Sequence, residues 1–473
     1  MIQNFKLKKS PSVFALKLNQ KEQPHTEKRI LMAKIYPFRG VRYNRSKIED
    51  LSLVVTPPYD VISEEEQQAY YKRHANNAIR LDKALVTEKD NEADNPYTRA
   101  AADFQDWRQN GVLIRDETPG FYLTTVTFPI EGKSVTRYGL IGAVQLEPFE
   151  SGVILPHEET FSKVKSERLE LMKACHANFS HIFSVYSDKD GILQTLKDHV
   201  QQISPEAEFS DDSGHFHRMW RITDPKLCRQ VTEAMEQRRL FIADGHHRYE
   251  TALNYREWVR QNDPDFDETH PANFIMMYLC AVEDQGLIIL PTHRLLPSVA
   301  AETRQHFMQQ AAQYFDIEKF DRDGADPGQA VEQLDKSLHK HRNDHIIGLV
   351  MKDEPACYAL VLKPGVMEAL FGDEIAAPLQ GLDVTVLTRL ILMKLMGFDK
   401  QNLDDHSLIG YTSSHDEAVE LVENGDYDMA FILNPPTNEQ VRKIAEAGLT
   451  MPRKTTFYYP KAVTGQVFNQ LER

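Results

Sequence analysis

Two imidazoles, a guanidinium and a phenol follow an Asp-Gly turn in Ile242-Ala243-Asp244-Gly245-His246-His247-Arg248-Tyr249. The apolar run 240–243 reads as a strand and 246–261 as the helix after it. Gly245 gives the turn conformational freedom and lets a ligand approach the backbone. The first N–H groups of a helix lack intrahelical partners and carry partial positive charge, which suits an anion. Arg248 in the first turn adds a bidentate contact to phosphate. His246 and His247 can donate to phosphate oxygens, and His247 can move a proton. The plain alternative is a helix capped by Asp244 with solvated His and Arg. The density of able groups behind the turn favours a functional site.

A resident metal is not expected there. Adjacent helical side chains point about 100° apart, whereas a zinc pair wants a spacing of about three or four residues. Magnesium carried by a nucleotide's phosphates needs only one or two carboxylates and stays compatible.

A second group is Leu155-Pro156-His157-Glu158-Glu159-Thr160, followed by Lys163, Lys165 and Arg168, then Asn178 and Ser180. His157 with Glu158 could act as a base pair, and Lys165 and Arg168 could hold phosphate. A solvated loop leading into a helix is the plain alternative. Thr56-Pro57-Pro58-Tyr59-Asp60 is a rigid loop able to aim the Asp60 carboxylate into a cleft. Pro291-Thr292-His293-Arg294, Asn434-Pro435-Pro436 and Met451-Pro452-Arg453-Lys454-Thr455-Thr456 are weaker signals, each readable as a surface loop.

The elements that must position these groups read as alternating strands and helices. A short strand at 35–38 precedes the apolar run 51–55. Ser63 with Glu64, Glu65 and Glu66 has the form of a helix N-cap. Helices are expected at 97–110, 164–176, 188–201, 224–238 and 302–314. The segment 384–396 is also apolar at helical spacing, and a last helix is expected after Pro460. Strands are expected at 121–128, 138–146, 182–186, 216–222, 273–282, 287–291, 346–351, 356–362 and 430–433. Residues 322–329 have the composition of a linker.

Of the 473 residues, 41% are hydrophobic and 26% charged, so a wholly disordered or fibrous chain is excluded. A net charge of −15 argues against bulk nucleic acid and anionic membranes but leaves room for a local phosphate pocket. No apolar run reaches the ~20 residues of a membrane span. The four scattered cysteines fit a reduced, cytoplasmic protein. Residues 1–31 are polar and patternless, expected to be a disordered extension ahead of Met32, the natural start.

The ordered motifs resemble those of one bacterial and archaeal family, domain of unknown function 1015. They are Thr-Pro-Pro-Tyr-Asp-Val-Ile (56–62), His-Glu-x-Thr (157–160), Ala-Asn-x-Ser (177–180), Ala-Asp-Gly-His-His-Arg-Tyr (243–249) and Pro-Thr-His-Arg-Leu (291–295). Leu-Asp-Val-x-Val-Leu (382–387), Phe-Ile-Leu-Asn-Pro (431–435) and Met-Pro-x-Lys-x-Thr (451–456) complete the set. The resemblance runs from about Met32 to the C-terminus. The chain departs from the pattern at His181, where Pro is usual, and at Glu159, where Lys is usual.

The Asp-Gly-His-His-Arg turn is also similar to the phosphate-binding turn of the ParB/sulfiredoxin-like superfamily, which includes free-serine kinases. That resemblance implies an α+β, mixed α/β fold. A ParB/sulfiredoxin-like catalytic region would span 32–297, and a smaller α/β domain 298–473. It further implies a nucleotide-dependent phosphotransferase acting on a small hydroxylated metabolite such as serine, with ATP or ADP and Mg²⁺.

Asp60, Glu158 or Asp244 would be the base, with His247 the further catalytic candidate. Gly245, His246, Arg248, His157, Thr160, Lys165, Arg168, Asn178, Ser180 and His293 would bind substrate or phosphate. Two alternatives stay open: a phosphoserine phosphatase or other phosphate-ester hydrolase, and a nucleotide-sensing or ParB-like binding protein.

Overall fold

The computed structural model describes residues 32–472, apart from 131, 157–161, 323–326 and 406. Two sheets dominate a mixed α/β fold. The first has nine strands. Its path runs Ile154–Leu155, Leu240–Asp244, Ile182–Tyr186, Phe274–Ala281, Lys133–Gln145, Phe121–Ile130, Phe216–Ile222 and Ala207–Ser210. Ile35–Tyr36 joins Lys133–Gln145 beyond the end of the hairpin, pairing with Val144 and Ala143.

Ile182–Tyr186 runs parallel to Phe274–Ala281 and antiparallel to Leu240–Asp244. These central strands are apolar at nearly every position because both faces are covered. Phe121, Leu140, Ile242 and Met277 fill one side, and Tyr122, Ile141, Phe183 and Tyr278 the other. Each large apolar side chain fully buried this way contributes about 1.5–3 kcal/mol.

The second sheet is antiparallel, ordered Phe315–Asp321, Ala356–Leu362, Ile346–Met351, Met429–Leu433, His293–Leu296 and Gly410–Thr412. Helix Pro327–Lys340 lays Ala330, Leu334 and Leu338 on one of its faces. The apolar segment expected as one helix at 384–396 is helical but underwound. After Asp383–Thr385, Val386–Leu395 forms a π-helix.

The helix expected after Pro460 does not form. Val463, Val467, Phe468 and Leu471 are all buried, and their backbone bonds run outward. Thr464 exchanges bonds with Thr56, Phe468 with Val41, and Leu471 donates to the His176 carbonyl. Asn469–Gln470 then pairs with Ala177–Asn178, and Phe457–Tyr459 with Ile288–Leu290. The residues after the second sheet thus return to the first.

The expected linker at 322–329 lies partly outside the described residues, and Pro327 already opens a helix. Ser63 makes the expected capping box with Glu66. No helix among the described residues is long and apolar enough to cross a membrane.

Candidate functional site

The strand Leu240–Asp244 ends at a register irregularity between Ile242 and Asp244. Gly245 follows with φ +94° and caps the helix His246–Asn262 without a side-chain bond. A left-handed conformation here suits glycine. Space demands it too, because a Cβ at 245 would lie 3.0 Å from Arg248 Nε.

Both oxygens of Asp244 are taken by cations. Arg248 donates to Oδ2 and Lys461 to Oδ1, each at 2.5 Å. Arg248 also donates to the His181 carbonyl. Burial alone would raise the Asp244 pKa. The charges of Lys461 and Arg248 outweigh it and hold the carboxyl well below the usual range.

A second ion pair sits behind the first. Arg168, on helix Ser162–Cys175, donates to the Asp82 carboxylate and, at 2.6 Å, to the Asp82 carbonyl. Ser180 and Thr464 approach the same carboxylate at 3.4 and 3.5 Å. The Tyr59 ring connects the pairs, with the Arg168 guanidinium 4.1 Å and that of Arg248 5.9 Å from its centroid. Asp60, beside it on the short turn Tyr59–Val61, is exposed and acts on the Arg248 charge.

The fold therefore brings together Asp60, Asp244, Gly245, Arg248, Arg168 and Ser180. His246 is buried and helps lower the Asp244 pKa, and His247 sits half-buried beside it. Arg168, Asn178, Ser180 and Arg248 surround a hollow of about 20 Å³, room for one water but not a phosphate. A ligand must come from elsewhere, and a cleft of about 300 Å³ lies against Pro57, Val61 and Lys461.

Asn178 has a structural job: its Oδ1 accepts from the Met276 N–H and the Asn469 amide. His157, Glu158 and Thr160 lie outside the described residues, as does the side chain of Lys165. His293 does not join this cluster; it stands in the second sheet.

Sequence reasoning missed Lys461, Asp82 and the stacking of Tyr59. Tyr59 stood inside a motif, but a lone Lys461 and a lone Asp82 carry no local signal. His181, where the family pattern has Pro, is buried with Nε2 unpartnered. Burial first, then the Arg248 charge, pushes it down to about 3. All four cysteines are buried, and none is in a disulfide.

The molecule is thus a mixed α/β protein with a charged cluster at a strand-to-helix turn. It belongs to the family described as protein of unknown function (DUF1015), whose model matches residues 35–385. No curated protein matches the sequence.

Among solved structures it is similar to a free serine kinase in complex with AMP, at 13% identity and a TM-score of 0.31, over 68% of this chain and 88% of that one. It is also similar to SbnI with a C-terminal truncation from Staphylococcus aureus, at 10% identity and TM-score 0.33, over 69% and 86%. A conserved hypothetical protein from Pyrococcus furiosus overlaps at 12% identity and TM-score 0.31, over 67% and 90%. Overlaps this loose say nothing about the chemistry of this chain.

Proposed function

We propose that this protein is a nucleotide-dependent phosphotransferase whose phosphate site is the turn Gly245–Arg248, and whose acceptor is a small hydroxylated metabolite such as serine. One observation carries the reading. Among the described residues of the cluster, three cations (Arg168, Arg248 and Lys461) face the buried Asp82, the half-buried Asp244 and the exposed Asp60, at the start of a long helix capped only by glycine. Counting the exposed Asp60 the charges balance, so it is the helix N-terminus, with Arg248 and Lys461 beside it, that favours an anion. Phosphoryl transfer asks chiefly for such positioning and charge stabilisation.

ATP or ADP would approach a turn where the Arg248 guanidinium packs against Gly245. When bound, it supplies or accepts the phosphoryl group. Mg²⁺ would be held mainly by the nucleotide, since the oxygens of Asp244 and Asp82 are engaged and no three-ligand cluster occurs among the described residues.

The same geometry sorts the carboxylates. Asp244, ionised and gripped on both oxygens, orients Arg248 and is a poor proton acceptor. The base is Asp60, exposed beside Arg248, or Glu158. His246, His247 and Arg248 steady phosphate oxygens.

Incubating the full chain with ATP, Mg²⁺ and L-serine, and separately with phosphoserine and ADP, tests this by phosphorus NMR. Nucleotide-dependent interconversion is expected. Phosphate release from phosphoserine without nucleotide would replace transfer by hydrolysis, and nucleotide binding without turnover would leave a sensing role.

A further inference from the structure

His293 opens the strand His293–Leu296 and is only 2% exposed. Its Nδ1 accepts the Leu433 N–H at 3.1 Å. That bond fixes the neutral tautomer, with the proton on Nε2, and burial pushes the ring down to about 3, so it stays neutral. The Nε2–H is buried and has no acceptor.

The His415 ring lies 6.2 Å away, centroid to centroid. His415 Nδ1 lies 2.7 Å from Asp335 Oδ1, and its Nε2 is likewise shielded and unpartnered. A third such atom is Asn438 Oδ1; the amide nitrogen faces the Leu287 carbonyl at 3.4 Å, which settles its orientation.

These residues line one cleft of about 600 Å³, together with Asp335 and the exposed guanidinium of Arg342. Each buried polar group left unmatched costs about 1–3 kcal/mol. Native folds rarely tolerate such groups without a partner. Three around one cleft call for a ligand. Pro291-Thr292-His293 and Asn434-Pro435-Pro436, unremarkable apart, both reach this cleft through Pro291, His293 and the Asn434–Pro436 loop.

We infer that this cleft is a second ligand site, for a small carboxylate that also carries an amino or hydroxyl donor. The carboxylate answers the His293 Nε2–H and the Arg342 guanidinium. The donor answers Asn438 Oδ1. A metal does not fit, because a ligating imidazole nitrogen must be free of its proton and His293 Nε2 carries one. The site is built on the second sheet and shares no residue with the Asp244 cluster.

Calorimetry on the full chain with L-alanine, L-lactate and propionate tests the inference. Saturable binding of L-alanine or L-lactate is expected, about tenfold or more tighter than propionate, which lacks the second donor. Arg342→Ala, at an exposed position that leaves the fold intact, and Asn438→Leu should each weaken it about tenfold or more. Arg248→Ala should leave it unchanged, which separates this site from the phosphate turn. The inference is overturned by no saturable binding, by propionate binding equally well, or by binding that ignores both Arg342→Ala and Asn438→Leu.

Discussion

Lys461 Nζ and Asp244 Oδ1 meet at 2.5 Å across 217 residues of sequence. The contact ties the segment that returns from the second sheet to the turn that starts the helix His246–Asn262. It also leaves Asp244 shared between Lys461 and Arg248, so neither cation can move without disturbing the other.

Replacing Lys461→Met should therefore leave a nearly buried carboxylate with one counter-charge. We expect unfolding free energy to fall by about 2–4 kcal/mol, measured by urea denaturation. A change below about 0.5 kcal/mol would show the pair to be idle, as exposed pairs often are.

Gly245→Ala places a Cβ at a φ of +94° and 3.0 Å from Arg248 Nε. The backbone cost is about 1–2 kcal/mol, and Arg248 must shift as well. Gly245→Asn tolerates the left-handed backbone but keeps the Cβ. It should recover most of the melting temperature while nucleotide affinity, by titration calorimetry, stays as low as in the alanine variant.

The Arg168–Asp82 pair and the Tyr59 ring make separable contributions. Asp82→Asn should cost about 3 kcal/mol by stranding a buried guanidinium. Tyr59→Leu, which removes only the ring between Arg168 and Arg248, should cost about 1 kcal/mol. Equal losses in a chemical denaturation series would contradict this assignment.

Much of this architecture is legible in the residues. The strands Ile182–Tyr186, Phe216–Ile222, Ile346–Met351 and Ala356–Leu362 have the bounds their apolar pattern predicts. The Ser63 and Glu66 spacing likewise predicts the cap that forms. Phe315–Asp321 was not foreseen, because an edge strand exposing Asp316, Lys319 and Asp321 looks like loop. Lys461 and Asp82 were invisible for a different reason: their meaning lies in partners far along the chain, and no local spacing encodes that. The π winding of Val386–Leu395 was equally hidden, since its apolar pattern fits an ordinary helix.

The pH dependence of stability follows from His181 and His293, each pushed from an ordinary value of 6.5 to about 3 by burial first. A lowered histidine pKa means the unfolded chain takes up protons that the folded chain refuses. Stability is full above pH 6.5 and is lost as pH falls toward about 3, at about 1.4 kcal/mol per pH unit for each ring. Asp244 has the depressed carboxylate sign, so its contribution is lost only below the ordinary carboxylate range. Melts from neutral to acid pH should show the slope, and His181→Leu should remove at most half of it, since buried His217 is lowered in the same direction. An unchanged slope would mean that His181 is protonated in the folded state.

The strand pairing of Asn469–Gln470 with Ala177–Asn178 has a consequence for biogenesis. A ribosome makes Lys461 and Phe468 only after every strand of the second sheet has been synthesised. Until then the nascent first sheet has an open seam beside Val41, Thr56 and His176, and Asp244 lacks one counter-ion. Completion of the Asp244 turn thus waits for residues that follow the second sheet in the chain.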